Sequence, residues 1–356
     1  MRIHLGHHFY GAGNLGDDFM LAGFLAAMRT LAPRATMSCC VPFALEQLQR
    51  RFPTIEWLPH EDRESERAIA VCDVWLGLGG SPFQSEQSRW FVDHLTAEAE
   101  CCARLGKPMF FLGIGIQRAA ELALPEVRHI CAQARGIWTR DAASARLLAA
   151  LPSPPRLVES AADLAHLFFR ENPPPRAARG RLTLVANFDY GTWPGQSAVL
   201  AAAADLPLSE CVWLAQETRE LPGAERALHA SLSPAEQSRW KLIVLDDASA
   251  PALASVFSRW PSGEWLVTAR YHAALAGAWA GSKVVVLTTN EKLHGVAHEL
   301  GCPSLSPVVT DSRKIKNALQ SAVPLVPPVH QAERAFAACA AFVSAAGSRS
   351  IVAPRR

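Results

Sequence analysis

Nowhere in these 356 residues do eighteen apolar residues follow one another, which is about the length a helix needs to cross a bilayer. The most apolar stretch, Ala273 to Leu287, is interrupted by Gly277, Gly281, Ser282 and Lys283. The start, Met1-Arg2-Ile3-His4-Leu5, enters a strand-like run at once and lacks the apolar core of a secretory leader. Runs of five or six like charges are also missing, and 35 Lys plus Arg stand against 33 Asp plus Glu, a net +2. That balance argues against a nucleic-acid binder, whose phosphate contacts need a concentrated positive surface. An anion bound here is small and held by a few placed groups. None of the nine Cys has the two-residue spacing of a zinc knuckle or a thiol redox pair, so neither a metal nor a redox site is expected. Most of these Cys lie in apolar stretches, where a free thiol behaves as a small hydrophobe. A reducing cytoplasm fits that usage, with peripheral association at the inner face of the membrane left open.

What is present is a large apolar fraction, 49%, with only 19% charged residues, enough to build sizeable cores. At roughly 150 residues per domain the length points to two domains. Short apolar runs alternate with helix-like segments: Ile3 to Leu5 then Asp18 to Leu31, Val74 to Leu78 then Ser88 to Arg104, Met109 to Leu112 then Glu121 to Ala134. This βαβ rhythm predicts a parallel sheet covered on both faces. Pro173-Pro174-Pro175 interrupts it, and it restarts with Leu182 to Asn187, Cys211 to Ala215, Leu242 to Leu245, Trp265 to Thr268 and Val284 to Leu287. The expected division is a first doubly wound domain over residues 1–172, a Pro-rich linker over 173–180 and a second such domain over 181–325. A C-terminal helix and tail over 326–356, helical from Gln331 to Ala346, would pack back on the first domain.

Ligands of open α/β sheets bind beyond the carboxyl ends of the strands, so the strand ends are where chemistry is sought. After the first strand comes Tyr10-Gly11-Ala12-Gly13-Asn14-Leu15-Gly16-Asp17-Asp18. Its glycines allow close backbone approach to an anion or a partner at a helix N-terminus, but the Asp pair would repel a pyrophosphate. A tight turn capped by Asp17 or Asp18 is the plainer alternative. Gly77-Leu78-Gly79-Gly80-Ser81 and Gly113-Ile114-Gly115-Ile116-Gln117 close two more strands, either as ordinary turns or as the lining of a cleft.

Thr139-Arg140-Asp141 ends a further strand, with Thr139 or Asp141 available to cap the next helix. Thr268-Ala269-Arg270-Tyr271-His272 repeats the arrangement in the second half. Arg offers a fixed fork to a carboxylate or phosphate, and His exchanges protons near neutral pH. Both side chains are expected to face open, solvent-filled space. Lys292 follows another strand end and is either one more charge at that rim or a solvated surface residue. The three Tyr, at 10, 190 and 271, all fall in such loops, as polar aromatic contacts to a sugar would. His7, His8, His94 and His294 show no metal spacing.

Taken in order, these segments resemble the polysaccharide pyruvyltransferase family. The match runs through residues 10–18, Gly79-Gly80-Ser81, Gly113 to Gln117, Thr139-Arg140-Asp141 with Ser144, Ala162-Asp163-Leu164-Ala165, Ala269 to Ala273, Gly281 and Lys292. The resemblance implies an α/β fold of two doubly wound, Rossmann-like domains, GT-B-like, with the active site in a cleft between them. It implies a transferase that moves the enolpyruvyl group of phosphoenolpyruvate onto two hydroxyls of a sugar or lipid-linked saccharide as a cyclic ketal, releasing phosphate and needing no cofactor. Carried over, Arg140 and Arg270 resemble ligands of the donor's carboxylate and phosphate, and His272 the acid/base. Gly13, Asn14, Asp17, Gly79, Gly80, Ser81, Gly115, Tyr271 and Lys292 fall to substrate binding, the first-domain loops on the acceptor side. Ala269 stands where the family usually has Ser, Gln117 where it has Pro, and Asp18 where Glu is commoner, departures that bear on the acceptor more than on the donor. The alternatives are a GT-B glycosyltransferase using a nucleotide sugar and a non-catalytic sugar- or anion-binding relative.

Overall fold

The computed structural model describes residues 1–6, 10–11, 13–42, 44–85, 89–186, 195–217, 224–245, 252–309 and 311–348. Tyr190, His7 and His8 lie outside the described residues. The chain forms two compact units.

The first unit, residues 1–9, 23–167 and 330–356, is built on seven strands: β1 (Arg2–Leu5), β2 (Thr36–Val41), β3 (Ile55–Pro59), β4 (Val74–Leu78), β5 (Met109–Ile114), β6 (Gly136–Thr139) and β7 (Val158–Ser160). All pair in parallel, in the order β3-β2-β1-β4-β5-β6-β7. The order reverses between β1 and β4, the switch point of a doubly wound sheet. Every residue of β5 is buried, as a strand covered by helices on both faces must be. One face packs Trp75, Phe111, Val92, Leu95 and Ile130 into a single core. The helix Val329–Gly347 belongs to this unit from His330 onward, and its Phe342 lies edge-on to Phe110 and Trp138 at 5.8 and 6.5 Å between ring centres.

The second unit, residues 10–22 and 168–329, repeats the plan with six parallel strands: β8 (Ala178–Val185), β9 (Glu210–Ala215), β10 (Trp240–Val244), β11 (Gly263–Thr268), β12 (Lys283–Leu287) and β13 (Ser304–Leu305). Their order is β10-β9-β8-β11-β12-β13, with the switch between β8 and β11. The helix Tyr271–Ala280 is buried along its whole length. Gly277 lets it lie close against Leu266 and Val284.

Three sequence expectations need correction. Residues 178–180, assigned to a linker, open β8: Ala178 N–H donates to Ser262 O at 2.9 Å, and Gly180, at φ +73°, donates to Glu264 Oε2 at 2.9 Å. The proline run therefore ends before a strand instead of inside a tether. The helix expected from Glu121 to Ala134 is a 3₁₀ turn, Ala119–Ala123, followed by the α-helix Pro125–Gln133, because Pro125 has no N–H for a continuous ladder and starts a new helix at its first turn. Residues 10–22 group with the second unit instead of the first. Phe19, on the helix Leu15–Leu31, packs with Phe168, Phe169 and Phe257 at 5.0 to 5.2 Å.

Candidate active site

In the second unit, β11 ends at Thr268, and the chain turns before the next helix. Ala269 N–H closes the strand onto Val185 O at 2.9 Å, and Arg270 N–H donates to Thr268 Oγ1 at 2.9 Å. Arg270 thus precedes the buried helix Tyr271–Ala280, and His272 sits in its first turn.

The Arg270 side chain is only 13% exposed and is engaged by two carboxylates. Its Nε donates to Glu225 Oε1 at 2.8 Å, and its Nη2 binds Glu217 and also Glu225 Oε2 at 3.4 Å. Glu217 follows β9, and Glu225 opens the helix Glu225–Ala230, where its carbonyl accepts from Trp213 Nε1 at 2.8 Å. Burial opposes charge on Arg270, but Glu225 and Glu217 outweigh it and hold the guanidinium firmly protonated. Burial pushes Glu225 above the usual carboxylate range, with Arg270 only partly offsetting it. The expectation that Arg270 and His272 face open space is corrected: both are largely enclosed, His272 being 8% exposed. Neither Glu was singled out from the sequence. The available signal was that Gln216-Glu217 follows β9 at the same edge as Arg270 follows β11.

The glycine-rich segment completes this group. Asn14 forms a backbone bridge with Glu217, and Leu15 N–H donates to Gln216 O at 3.4 Å. Gly11 and Gly13 have φ of +70° and +85°, which only glycine adopts without strain. The helix begins at Leu15, so Asp17 and Asp18 lie in its first turn and are not its cap. Asn14 Oδ1 accepts from Gly16 N–H at 3.2 Å, Asn14 Nδ2 donates to Asp17 Oδ2 at 3.2 Å, and Asp18 Oδ1 accepts from Gly11 N–H at 3.0 Å. Gly16 presents its bare Cα to the His272 ring, leaving no room for a Cβ.

Tyr10 and Tyr271, expected to touch a sugar, are 0% and 5% exposed. Lys292 is half-buried in the first turn of the helix Glu291–Leu300, beyond β12.

A second constellation lies in the first unit. Gly79 and Gly80, both with positive φ, leave β4, and backbone bonds stitch three strand ends together. Gly79 N–H donates to Leu112 O, Gly115 N–H to Gly80 O and Arg140 N–H to Ile114 O, each at 2.8 Å. The Arg140 guanidinium lies flat over Gly115, donates to Ser81 Oγ at 3.2 Å and stands 3.8 Å from Asp163 and 3.9 Å from Asp141. Asp141 caps the helix Ala142–Ala149, accepting from Ser144 N–H at 2.7 Å and from Ser144 Oγ at 2.9 Å, and Ser144 Oγ accepts from Ile116 N–H at 2.8 Å. Gly79, Gly80, Ser81, Gly115 and Arg140 therefore form one connected group. Asp163, quoted only as part of a segment, is its buried carboxylate.

Among the described residues no three His, Cys, Asp or Glu side chains gather as a metal site would require, and no helix is long and apolar enough to cross a membrane.

Solved structures share this fold at low identity. HepE of Anabaena, in complex with UDP-glucose, aligns at TM-score 0.59 and 12% identity over 97% of this chain and 94% of its own. The UDP-GlcNAc 2-epimerase of Neisseria meningitidis, bound to UDP-GlcNAc, aligns at 0.59 and 12% over 97% and 100%. A ugt transferase from Siraitia grosvenorii, in complex with UDP, aligns at 0.54 and 11% over 97% and 100%. The architecture is an α/β two-domain fold of the GT-B type. No curated protein matches the sequence. The family model described as polysaccharide pyruvyl transferase matches residues 14–291, a span from Asn14 at the helix start, through the Arg140 and Arg270–His272 turns, to the residue before Lys292. With most of its length matched in that way, the chain belongs to the polysaccharide pyruvyl transferase family.

Proposed function

We propose that this protein is a phosphoenolpyruvate-dependent ketal pyruvyltransferase acting on a sugar or lipid-linked saccharide in polysaccharide or glycoconjugate assembly. The observation that carries the proposal is the second-unit turn in which Arg270 and His272 stand together at the carboxyl edge of the sheet, His272 against Gly16 at a helix start. A donor with one carboxylate and one phosphate calls for fixed positive forks, and Arg270 in this turn is such a fork at a strand end. In the reaction the methylene carbon of the donor gains a proton. Two acceptor oxygens bond to its C2, and the C2–O bond to phosphate breaks. The two hydroxyl protons end on the new methyl group and on phosphate, so charge and atoms balance. His272 is the group in this turn suited to carry that proton, a role in which a placed His contributes about 10²–10⁴-fold.

Nine free thiols, eight buried and Cys302 half-buried, support a place in the reducing cytoplasm. In this reading guanidinium forks take the place of a metal in holding the donor, so turnover is expected to survive a chelator. The test is phosphate release from phosphoenolpyruvate in the presence of saccharide diols, with the ketal product identified by mass. Consumption of a nucleotide sugar in place of phosphoenolpyruvate would make the protein a glycosyltransferase. Donor binding without turnover would make it a non-catalytic relative.

A further inference from the structure

Of the two carboxylates that meet the Arg270 guanidinium, Glu225 holds it at two points and Glu217 at one. Nε donates to Glu225 Oε1 at 2.8 Å and Nη2 to Glu225 Oε2 at 3.4 Å, whereas Glu217 meets Nη2 alone. A carboxylate set side by side with Nε and Nη2 lies along one edge of the planar group and fixes its rotation as well as its place. Among the described residues nothing hydrogen-bonds Nη1, which leaves that nitrogen for a ligand. We propose that Glu225 is a positioning residue: it holds Arg270 side-on, so that Nη1 meets the anionic group of the donor in one fixed orientation. The assignment rests on Arg270 being a ligand of the donor and names what prepares it for that role.

Both ends of residue 270 are anchored. Its N–H donates to Thr268 Oγ1 at 2.9 Å at the end of β11, where Thr268 is fully buried. Between that anchor and the guanidinium lie the rotatable bonds of a long side chain, which samples many rotamers unless its tip is held. Glu225 is a rigid holder. Its side chain is 0% exposed, and its carbonyl accepts from Trp213 Nε1 at 2.8 Å at the start of the helix Glu225–Ala230. Trp213, on β9, and Leu228, one turn further along that helix, belong to the same core as Trp240. The core of the second unit thus sets where the carboxylate lies, and the carboxylate sets the guanidinium. Placement of this kind matters, because shifting a positioning group by about 1 Å can cost about 10²-fold.

The experiment is steady-state phosphate release from phosphoenolpyruvate with a saccharide diol, with a melting temperature for each variant. Gln keeps the side-chain length and one acceptor for Nε but turns an N–H toward Nη2, so E225Q should raise the donor KM about tenfold. E225A keeps neither contact and should raise it about 10²-fold, so that E225Q recovers part of what E225A loses. In both, kcat should change little, because the lost interaction serves bound donor and transition state alike. If E225A does not fold, E225D makes the comparison: Asp keeps the charge but is one methylene too short to reach, and the donor KM should still rise. R270Q should raise the donor KM at least as far, and adding E225Q to it should raise KM no further, because no guanidinium is left to hold. A wild-type donor KM in E225Q and E225D, with only the melting temperature lowered, overturns the proposal and leaves Glu225 a part of the fold alone. A further rise in the double variant overturns it as well, since Glu225 would then act apart from Arg270. If R270Q raises the donor KM and the Glu225 variants do not, Arg270 stands as a donor ligand and only the positioning role fails. If R270Q leaves the donor KM unchanged, or the wild type neither binds nor turns over phosphoenolpyruvate, both fail.

Discussion

The His272 ring rests on the bare Cα of Gly16, and a Cβ there would lie 2.9 Å from the ring's Cγ and Cε1 and closer still to Nδ1. Two segments far apart in sequence thus fix one imidazole. Gly16→Ala should turn that ring away from its position, lowering the single-turnover rate by a factor of about 10² or more while donor affinity changes less. The side chain of an alanine is otherwise welcome in a helix, so the melting temperature reports only the local clash. Unchanged turnover in a well-folded Gly16→Ala would remove the position of His272 from the mechanism.

His272→Ala should reduce the chemical step by about 10²–10⁴-fold and leave the fold largely intact. Melting temperature and single-turnover rate on the same sample separate the two possibilities: a destabilised but fully active variant would show that His272 serves packing alone.

Arg270→Ala leaves Glu217 and Glu225 buried without their cation, and removal of one partner of such a group costs about 3–5 kcal/mol. The loss should depend on pH. A buried carboxyl without a cation has a folded-state pKa above its unfolded value of 4.5, so the penalty is absent below that value and grows as pH rises towards the folded-state pKa. Urea unfolding of wild type and variant should therefore converge at low pH and diverge toward neutrality. A pH-independent difference would show that the carboxylates are not what the guanidinium stabilises.

Gly115→Ala pushes a methyl group into the Arg140 guanidinium and should break the 3.2 Å bond to Ser81. Arg140→Ala removes the cation beside the buried Asp163 and should cost about 1–3 kcal/mol, read as a lower urea midpoint. If both variants keep wild-type stability and turnover, the Gly80–Gly115–Arg140 group is scenery.

All nine cysteines are unpaired, and burial raises their thiols, Cys40 and Cys72 to about 11 and Cys131 to about 12. The native protein should therefore react slowly with a thiol reagent, Cys302 first, and titrate all nine groups only when unfolded. Rapid labelling of several groups in the folded state would contradict this burial.

The sequence by itself determined the two parallel sheets and the strand ends at which Gly, Arg and His residues gather, because apolar runs of strand length and the residues that end them are local signals. Arg140 and the Arg270–His272 turn were legible for that reason, as was Asp141 as a helix cap. Strands β2, β3 and β7 were not: Thr36-Met37-Ser38 has one apolar residue in three, Ile55 to Pro59 mixes exposed with buried positions, and β7 has three residues. Only the tertiary structure decided that Glu217 and Glu225, 53 and 45 residues from Arg270, would neutralise it. It also decided that residues 10–22 would join the second unit. Partners that distant are chosen by strand order. The ends of β9 and β11 flank β8 at one sheet edge, and a buried guanidinium there must find carboxylates wherever the chain brings them.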